Sequence, residues 1–127
     1  MEHESMQETG QITVREVLNL LGARAISSGY DERTRVEMAC AADLMSDVLA
    51  FIKAGALLLT GLTTPQVIYT AEMADVRIVC FVRGKQPSAE TIALAEKKHI
   101  ILLQTSLPMF ESCGRLHAGG VRGCSER

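Results

Sequence analysis

The feature that most constrains this chain is a rhythm of three short, continuously apolar runs, Ala56–Thr60, Val76–Val82 and Ile100–Leu103. Each is followed by a polar turn and a helical stretch: about Pro65–Ala74, Ala89–Lys98 and Leu107–His117. A strand with one wet face alternates apolar and polar residues. Unbroken hydrophobicity requires burial on both faces, which parallel strands covered by helices provide. Successive strand–helix units cross over right-handedly. The expectation is therefore an α/β fold, a layered single domain with a mainly parallel sheet flanked by helices.

The first third of the chain carries clear local signals. Thr13 and Glu16 form a T-x-x-E capping box, with Ile12 and Val17 placed for a hydrophobic staple. Val14, Val17, Leu18 and Leu21 make a helical stripe that Gly22 stops. Ala23–Ser28 reads as a strand, 28–33 as a polar loop, and Val36–Cys40 as a short returning strand. Asp43 is then expected to cap a helix reaching about Lys53, with Leu44, Val48, Phe51 and Ile52 on one face. Residues 1–10 are acidic and poor in packing groups, and Gly119, Gly120 and Gly123 loosen the other end. The expected organisation is a flexible tail at 1–10, a domain at 11–118 and a second flexible tail at 119–127.

Length and composition exclude several function classes. At 127 residues the chain fits one domain with a real core. A net charge of −2, with two Tyr, three Phe and no Trp, offers neither a basic face for phosphates nor platforms for bases, so no nucleic-acid partner is expected. No apolar run approaches the roughly 20 residues of a membrane helix, and the start MEHESMQETG lacks a signal peptide's parts. No membrane partner and a cytoplasmic location are expected. Cys40, Cys80, Cys113 and Cys124 contain no C-x-x-C pair and read as core thiols, with Cys124 in a loose tail. An iron–sulfur or zinc site would have to be assembled from remote positions or across a dimer. No cofactor is expected, and the cysteine spacing argues against an iron–sulfur cluster.

Ligands of open parallel sheets bind beyond the carboxyl ends of the strands, where helix N-termini also point. That rule selects three turns: Thr60-Gly61-Leu62-Thr63-Thr64, Arg83-Gly84-Lys85 and Gln104-Thr105-Ser106. Their hydroxyls, glycines and two cations suit a phosphate, carboxylate or nucleotide. The same residues also have a purely local reading. Thr64 before Pro65, Ser88 and Ser106 are good helix caps, and no phosphate-cradling motif such as G-x-x-x-x-G-K-S/T occurs. Asp43, Ser46 and Asp47 form a secondary candidate. The two carboxylates share a helix face and suit either a hard cation or the positive helix end. His3, His99 and His117 show no metal-ligand spacing, and no nucleophile–base pairing is visible, so neither a metal ligand nor a catalytic residue is assigned. Met38, Met45, Met73 and Met109 fall on or beside apolar stripes, as core filler or subunit contact.

Across residues 11–118 the segments ITVREVLNLLGA, AADLMSDVLAF, LLLTGLTTPQVIYTAEMADV, FVRGKQPSAETIALAEKKHI and LLQTSLPMFESCGRL resemble stand-alone DRTGG-domain proteins. Their most specific parts are D-L-x-S-D from Asp43 to Asp47, T-G-L-T-x-P-Q, and R-G-K-x-P-x-x-E-T-I from Arg83 to Ile92. The resemblance implies a fold similar to the N-terminal domains of HPr kinase/phosphorylase and of a Mur ligase, commonly as a homodimer. The same module occurs inside phosphotransacetylases and between CBS domains of regulated pyrophosphatases, which implies a regulatory or dimerising part. Stand-alone members in anaerobes are often encoded beside hydrogenase subunits and bear names such as iron–sulfur-binding hydrogenase-related protein or serine kinase. The namesake pattern is incomplete here. Asp31, Arg33 and Thr34 are present, but Glu37-Met38-Ala39 stands where its glycines would follow. The catalytic P-loop of HPr kinase is also missing from this sequence.

The resulting expectation is a non-catalytic regulatory or accessory module. It would homodimerise and bind a small anionic or nucleotide-like ligand, or a partner oxidoreductase such as a hydrogenase. Two alternatives stay open: an iron–sulfur or redox accessory protein, and a small metal-dependent phosphotransferase using Asp43 and Asp47.

Overall fold

The computed structural model describes residues 12–124. The tail expected at 1–10 and residues 125–127 lie outside that range. The chain opens with strand β1 (Ile12–Thr13) and helix α1 (Val14–Leu21), followed by β2 (Arg24–Ala25), β3 (Arg35–Val36) and β4 (Met38–Ala41). It continues through α2 (Met45–Phe51), β5 (Leu57–Thr60), α3 (Pro65–Met73), β6 (Ile78–Phe81) and α4 (Ala89–Lys97). The last elements are β7 (Ile101–Gln104), α5 (Met109–Ala118) and β8 (Arg122–Gly123).

Six strands form one sheet in the order β2-β7-β6-β5-β4-β8. β4, β5, β6, β7 and β8 are parallel, and β2 alone runs antiparallel, on β7. The apolar runs behave as their composition requires. Leu57, Leu59, Cys80 and Leu103 face one side, with Val14, Val17, Leu21 and Leu116 of α1 and α5. Leu58, Val79, Phe81 and Leu102 face the other, with Met45, Val48, Val67, Ile68, Ala71 and Ala95 of α2, α3 and α4. The layering follows from handedness. Moving from β4 to β7 in one direction, right-handed crossovers put α2, α3 and α4 on a single face. The return from β7 to β8 runs the opposite way, so α5 lands on the other face, against α1.

Local signals explain the helices. The Thr13 N–H donates to Glu16 Oε1 at 2.9 Å and the Glu16 N–H to Thr13 Oγ1 at 3.3 Å, closing the capping box. Gly22 takes the left-handed conformation, φ 56, that ends α1 without a Cβ penalty. Ser88 caps α4 through the Thr91 N–H at 3.2 Å. Gly119 permits the close approach of α5 to α1, because a Cβ there would lie 2.6 Å from Leu20 Cδ1.

Several expectations are corrected. The strand expected at Ala23–Ser28 shrinks to Arg24–Ala25, and Ser27 then turns its hydroxyl to accept the Leu102 N–H at 2.8 Å. Val36–Cys40 is not one returning strand. It divides at Glu37, with β3 pairing β1 and β4 entering the main sheet. Asp43 does not cap α2. Leu44 holds that position without a side-chain cap, and the helix stops at Phe51. Its core stripe is Met45, Val48 and Ile52, which leaves Leu44 and Phe51 exposed. Ser106 does not cap α5, whose N-cap is Pro108. Residues 119–124 are not a loose end, since β8 pairs in parallel with β4 and buries Val121 and Cys124.

Candidate functional site

The three turns selected from sequence lie on one rim, because their strands are neighbours in register. Thr60 stands opposite Phe81, and Phe81 opposite Gln104. Beyond that row the chains remain tied, with the Val82 N–H donating to the Thr60 carbonyl at 3.1 Å and the Thr105 N–H to the Phe81 carbonyl at 2.9 Å. Asp43, two residues past the end of β4, comes to the same rim. Its carboxylate accepts the Gly61 N–H at 2.8 Å and the Thr60 hydroxyl at 3.2 Å. The primary and secondary candidates are thus one connected structure.

Much of the rim's polarity is spent on the fold. Thr60 and Thr105 are 0% and 1% exposed. The Thr60 hydroxyl also accepts the Leu62 N–H at 3.1 Å. The Thr105 hydroxyl donates to the Leu21 carbonyl at 2.7 Å and accepts the Leu107 N–H at 3.2 Å. These two hydroxyls therefore bind protein, and neither is available to a ligand.

The 82–85 segment is a type I′ turn. Arg83 and Gly84 both have positive φ, 58 and 66, and the Lys85 N–H closes on the Val82 carbonyl at 3.1 Å. The backbone donors of the turn are consumed, Arg83 N–H by the Leu107 carbonyl and Gly84 N–H by the Thr105 carbonyl, both at 2.8 Å. Gln104 Nε2 fixes the turn from below, donating to the carbonyls of Gly84 at 3.3 Å and Lys85 at 2.8 Å. The left-handed conformation of Arg83 costs on the order of 1 kcal/mol in a residue with a Cβ. Asn or Gly would be the ordinary choice there.

What points outward is a smaller set. Among the described residues the side chains of Thr63, Thr64, Arg83, Lys85 and Ser106 make no hydrogen bond or ion pair within the chain, and Thr63 alone of them is partly shielded. Thr64 is the N-cap position of α3 but its hydroxyl does not bond the helix. Gly61 carries no positive φ, and a Cβ there would meet Asp43 Oδ1 at an ordinary 3.6 Å. Its role is to offer its N–H to Asp43. Ser46 and Asp47 are exposed on the first turn of α2. One contributor escaped the sequence reading. Thr91 is buried on α4, and its hydroxyl donates to the Thr63 carbonyl at 2.8 Å, holding the first turn in place. A Thr three residues after a Ser cap gives no such signal.

The residues of the namesake pattern fold onto themselves. The Asp31 carboxylate accepts the Arg33 N–H at 2.9 Å, which, with the Arg33 side chain, holds its pKa below the ordinary value. The Thr34 hydroxyl donates to the Asp31 carbonyl at 2.7 Å. Among the described residues no three His, Cys, Asp or Glu side chains are arranged to hold a metal ion.

No protein-family model matches the sequence, and no curated protein sequence matches it either. A solved structure does share its fold: the CBS and DRTGG domains of the regulatory region of Clostridium perfringens pyrophosphatase, complexed with its activator diadenosine tetraphosphate. The two superpose with a TM-score of 0.72 over 92% of this chain and 50% of that one, at 18% identity. The chain thus spans about half the length of that structure. At this identity the likeness establishes the α/β fold with its mainly parallel sheet.

Cys80 lies beneath the rim in β6, fully buried, and burial pushes its thiol from 9.0 up to about 12. A folded-state pKa above the unfolded one contributes stability that is fully present below pH 9 and is lost as pH rises toward 12. Urea denaturation should therefore show stability falling across that alkaline window, with a shallower fall in Cys80→Val. An identical pH slope in the variant would contradict the assignment.

Proposed function

We propose that the chain is a non-catalytic regulatory or accessory module of the cytoplasm whose rim binds a small anionic, nucleotide-like ligand. The observation that carries this reading is the pair of exposed cations, Arg83 and Lys85, on a turn braced by Gln104, Thr105 and Leu107. A strained Arg at a position suited to Asn or Gly is most simply explained by what its side chain does. Thr63, Thr64 and Ser106 supply hydroxyls around it. Support also comes from the regulatory region of similar fold, whose activator is a dinucleoside polyphosphate. The non-catalytic reading draws on the chemistry of the rim. Asp43 is committed to Thr60 and Gly61, and Cys80 is held protonated, the opposite of an activated nucleophile.

The phosphotransferase alternative needs Asp43 and Asp47 on one cation, which the engagement of Asp43 disfavours. The iron–sulfur alternative needs at least three donors placed around one metal, and among the described residues no such group is arranged.

Thermal melting with diadenosine tetraphosphate, ATP, AMP and pyrophosphate tests the ligand. At least one should raise Tm in a dose-dependent, salt-sensitive way, reaching about 2.7 kcal/mol of stabilisation at a hundredfold excess over Kd. The Arg83→Ala, Lys85→Ala double variant should lose the shift. No shift across the panel, or a shift retained in the double variant, would reject the rim as the site.

A second copy of the chain is the proposed partner of the α2–α3 face. Leu44, Leu49, Phe51, Tyr69 and Met73 are exposed there, Met73 by 74%, on two helices that pack side by side. Exposed large apolar side chains on adjacent helices are a feature of association surfaces. A hydrogenase or another oxidoreductase docking on the same face is the competing occupant. Sedimentation equilibrium should give a dimer for the native chain and a monomer for Tyr69→Glu, Met73→Glu. A monomeric native chain would exclude the homodimer.

A further inference from the structure

Three of the four cysteines meet at the edge of the sheet opposite β2. β4 and β8 run parallel with Met38 opposite Arg122 and Ala39 opposite Gly123. The Cys124 N–H continues the ladder by donating to the Ala39 carbonyl at 3.1 Å. One step further, this register sets Cys40 beside Cys124, near enough for the Cys124 thiol to help raise the pKa of Cys40. Neighbouring strands lie about 4.8 Å apart, inside the roughly 4.4–6.8 Å between Cα atoms that a disulfide spans. Both thiols line a cavity of about 570 Å³, together with Cys113 and Phe110 of α5 and with Val121.

Cys124 is buried like a core thiol, but its neighbour across the ladder is not. Cys80 shows what an inert core thiol looks like, sealed inside a central strand. Cys40 is instead only half-buried and faces a cavity at an edge. A shared metal is not indicated either, since no three donors are arranged for one among the described residues.

From this geometry we infer that Cys40 and Cys124 form a reversible disulfide, a strap that pins β8 to β4 and fixes one wall of the cavity. The oxidant is a low-molecular-weight disulfide of the glutathione type. One cysteine loses its proton to solvent and its thiolate attacks a sulfur of that disulfide, giving a protein mixed disulfide and releasing one small thiolate. The second cysteine, deprotonated in turn, attacks the protein sulfur of the mixed disulfide, forming the Cys40–Cys124 bond and expelling the second small thiolate. Two protein thiols are oxidised and one small disulfide is reduced to two thiols.

The strap is reversible because it lies at the sheet edge beside an open cavity, where a small thiol can reach Cys40. It is also slow to close. Burial, with Cys124 just after β8, Asp47 on α2 and Cys113 on α5 adding to it, pushes the Cys40 thiol up to about 12. His117 and Arg122 also line the cavity. Closure therefore accelerates as pH rises above neutrality.

The test is to incubate the full chain in mixtures of oxidised and reduced glutathione and to map linkages by mass spectrometry without reduction. The expected result is the loss of two titratable thiols, a peptide pair joining Cys40 to Cys124, and recovery with dithiothreitol. Hydrogen exchange at the Gly123 and Cys124 amides should slow in the oxidised form. Cys113→Ser should keep the linkage and Cys40→Ser should lose it. A stable mixed disulfide, a linkage through Cys113 or Cys80, or a Cys40–Cys124 bond with unchanged exchange would each overturn the proposal. The map of the native chain decides the matter even if Cys40→Ser does not fold.

Discussion

Everything in this molecule depends on the in-register pairing of β5, β6 and β7. Leu57, Ile78 and Ile101 stand in one row, and Thr60, Phe81 and Gln104 in another. Because the strands are parallel and their ends level, whatever follows each strand emerges on the same rim. Because both faces are apolar, helices must cover both. A slip of one residue would turn Leu58, Val79 and Leu102 to the wrong layer, so the register is held by burial as much as by hydrogen bonds.

The rim that results is built in two tiers. An inner tier of Asp43, Thr60, Gly61, Gln104 and Thr105 satisfies itself and closes the top of the sheet. No buried side-chain polar atom among the described residues lacks a partner, which is the condition for a rigid support. An outer tier of Arg83, Lys85, Thr63, Thr64 and Ser106 stands on that support with its side chains open to solvent. Such a division suits recognition, since the outer groups are positioned without being used up. The same surface offers little to covalent chemistry, where a nucleophile and a base would need to touch.

Much of the fold was legible in the residues. Ala56–Thr60, Val76–Val82 and Ile100–Leu103 announced parallel strands because double-sided burial leaves no room for polar alternation. The capping box at Thr13 and Glu16 and the Ser88 cap were readable because they are local. The misreadings share the opposite cause. Asp43 has the look of an N-cap, but Gly61, far along the chain, outbids the first turn of α2 for its carboxylate. β3 and β4 could not be separated, since two-residue pairings leave almost no periodicity. β8 was hidden by its glycines, which read as a loosened end although Val121 and Cys124 anchor it. The likeness of the rim turns was visible in sequence, whereas the burial of Thr105 was not, because it depends on the end of α1 at Leu21 coming to lie against it.

The claim that the inner rim belongs to the core can be measured directly by amide hydrogen exchange on the ligand-free chain. The amides of Gly61, Val82, Gly84 and Thr105 should be protected together with those of Val79 and Leu102, as one cooperative unit. Rapid exchange at these four positions while the strands themselves stay protected would contradict a braced rim, and with it the support on which Arg83 and Lys85 are held.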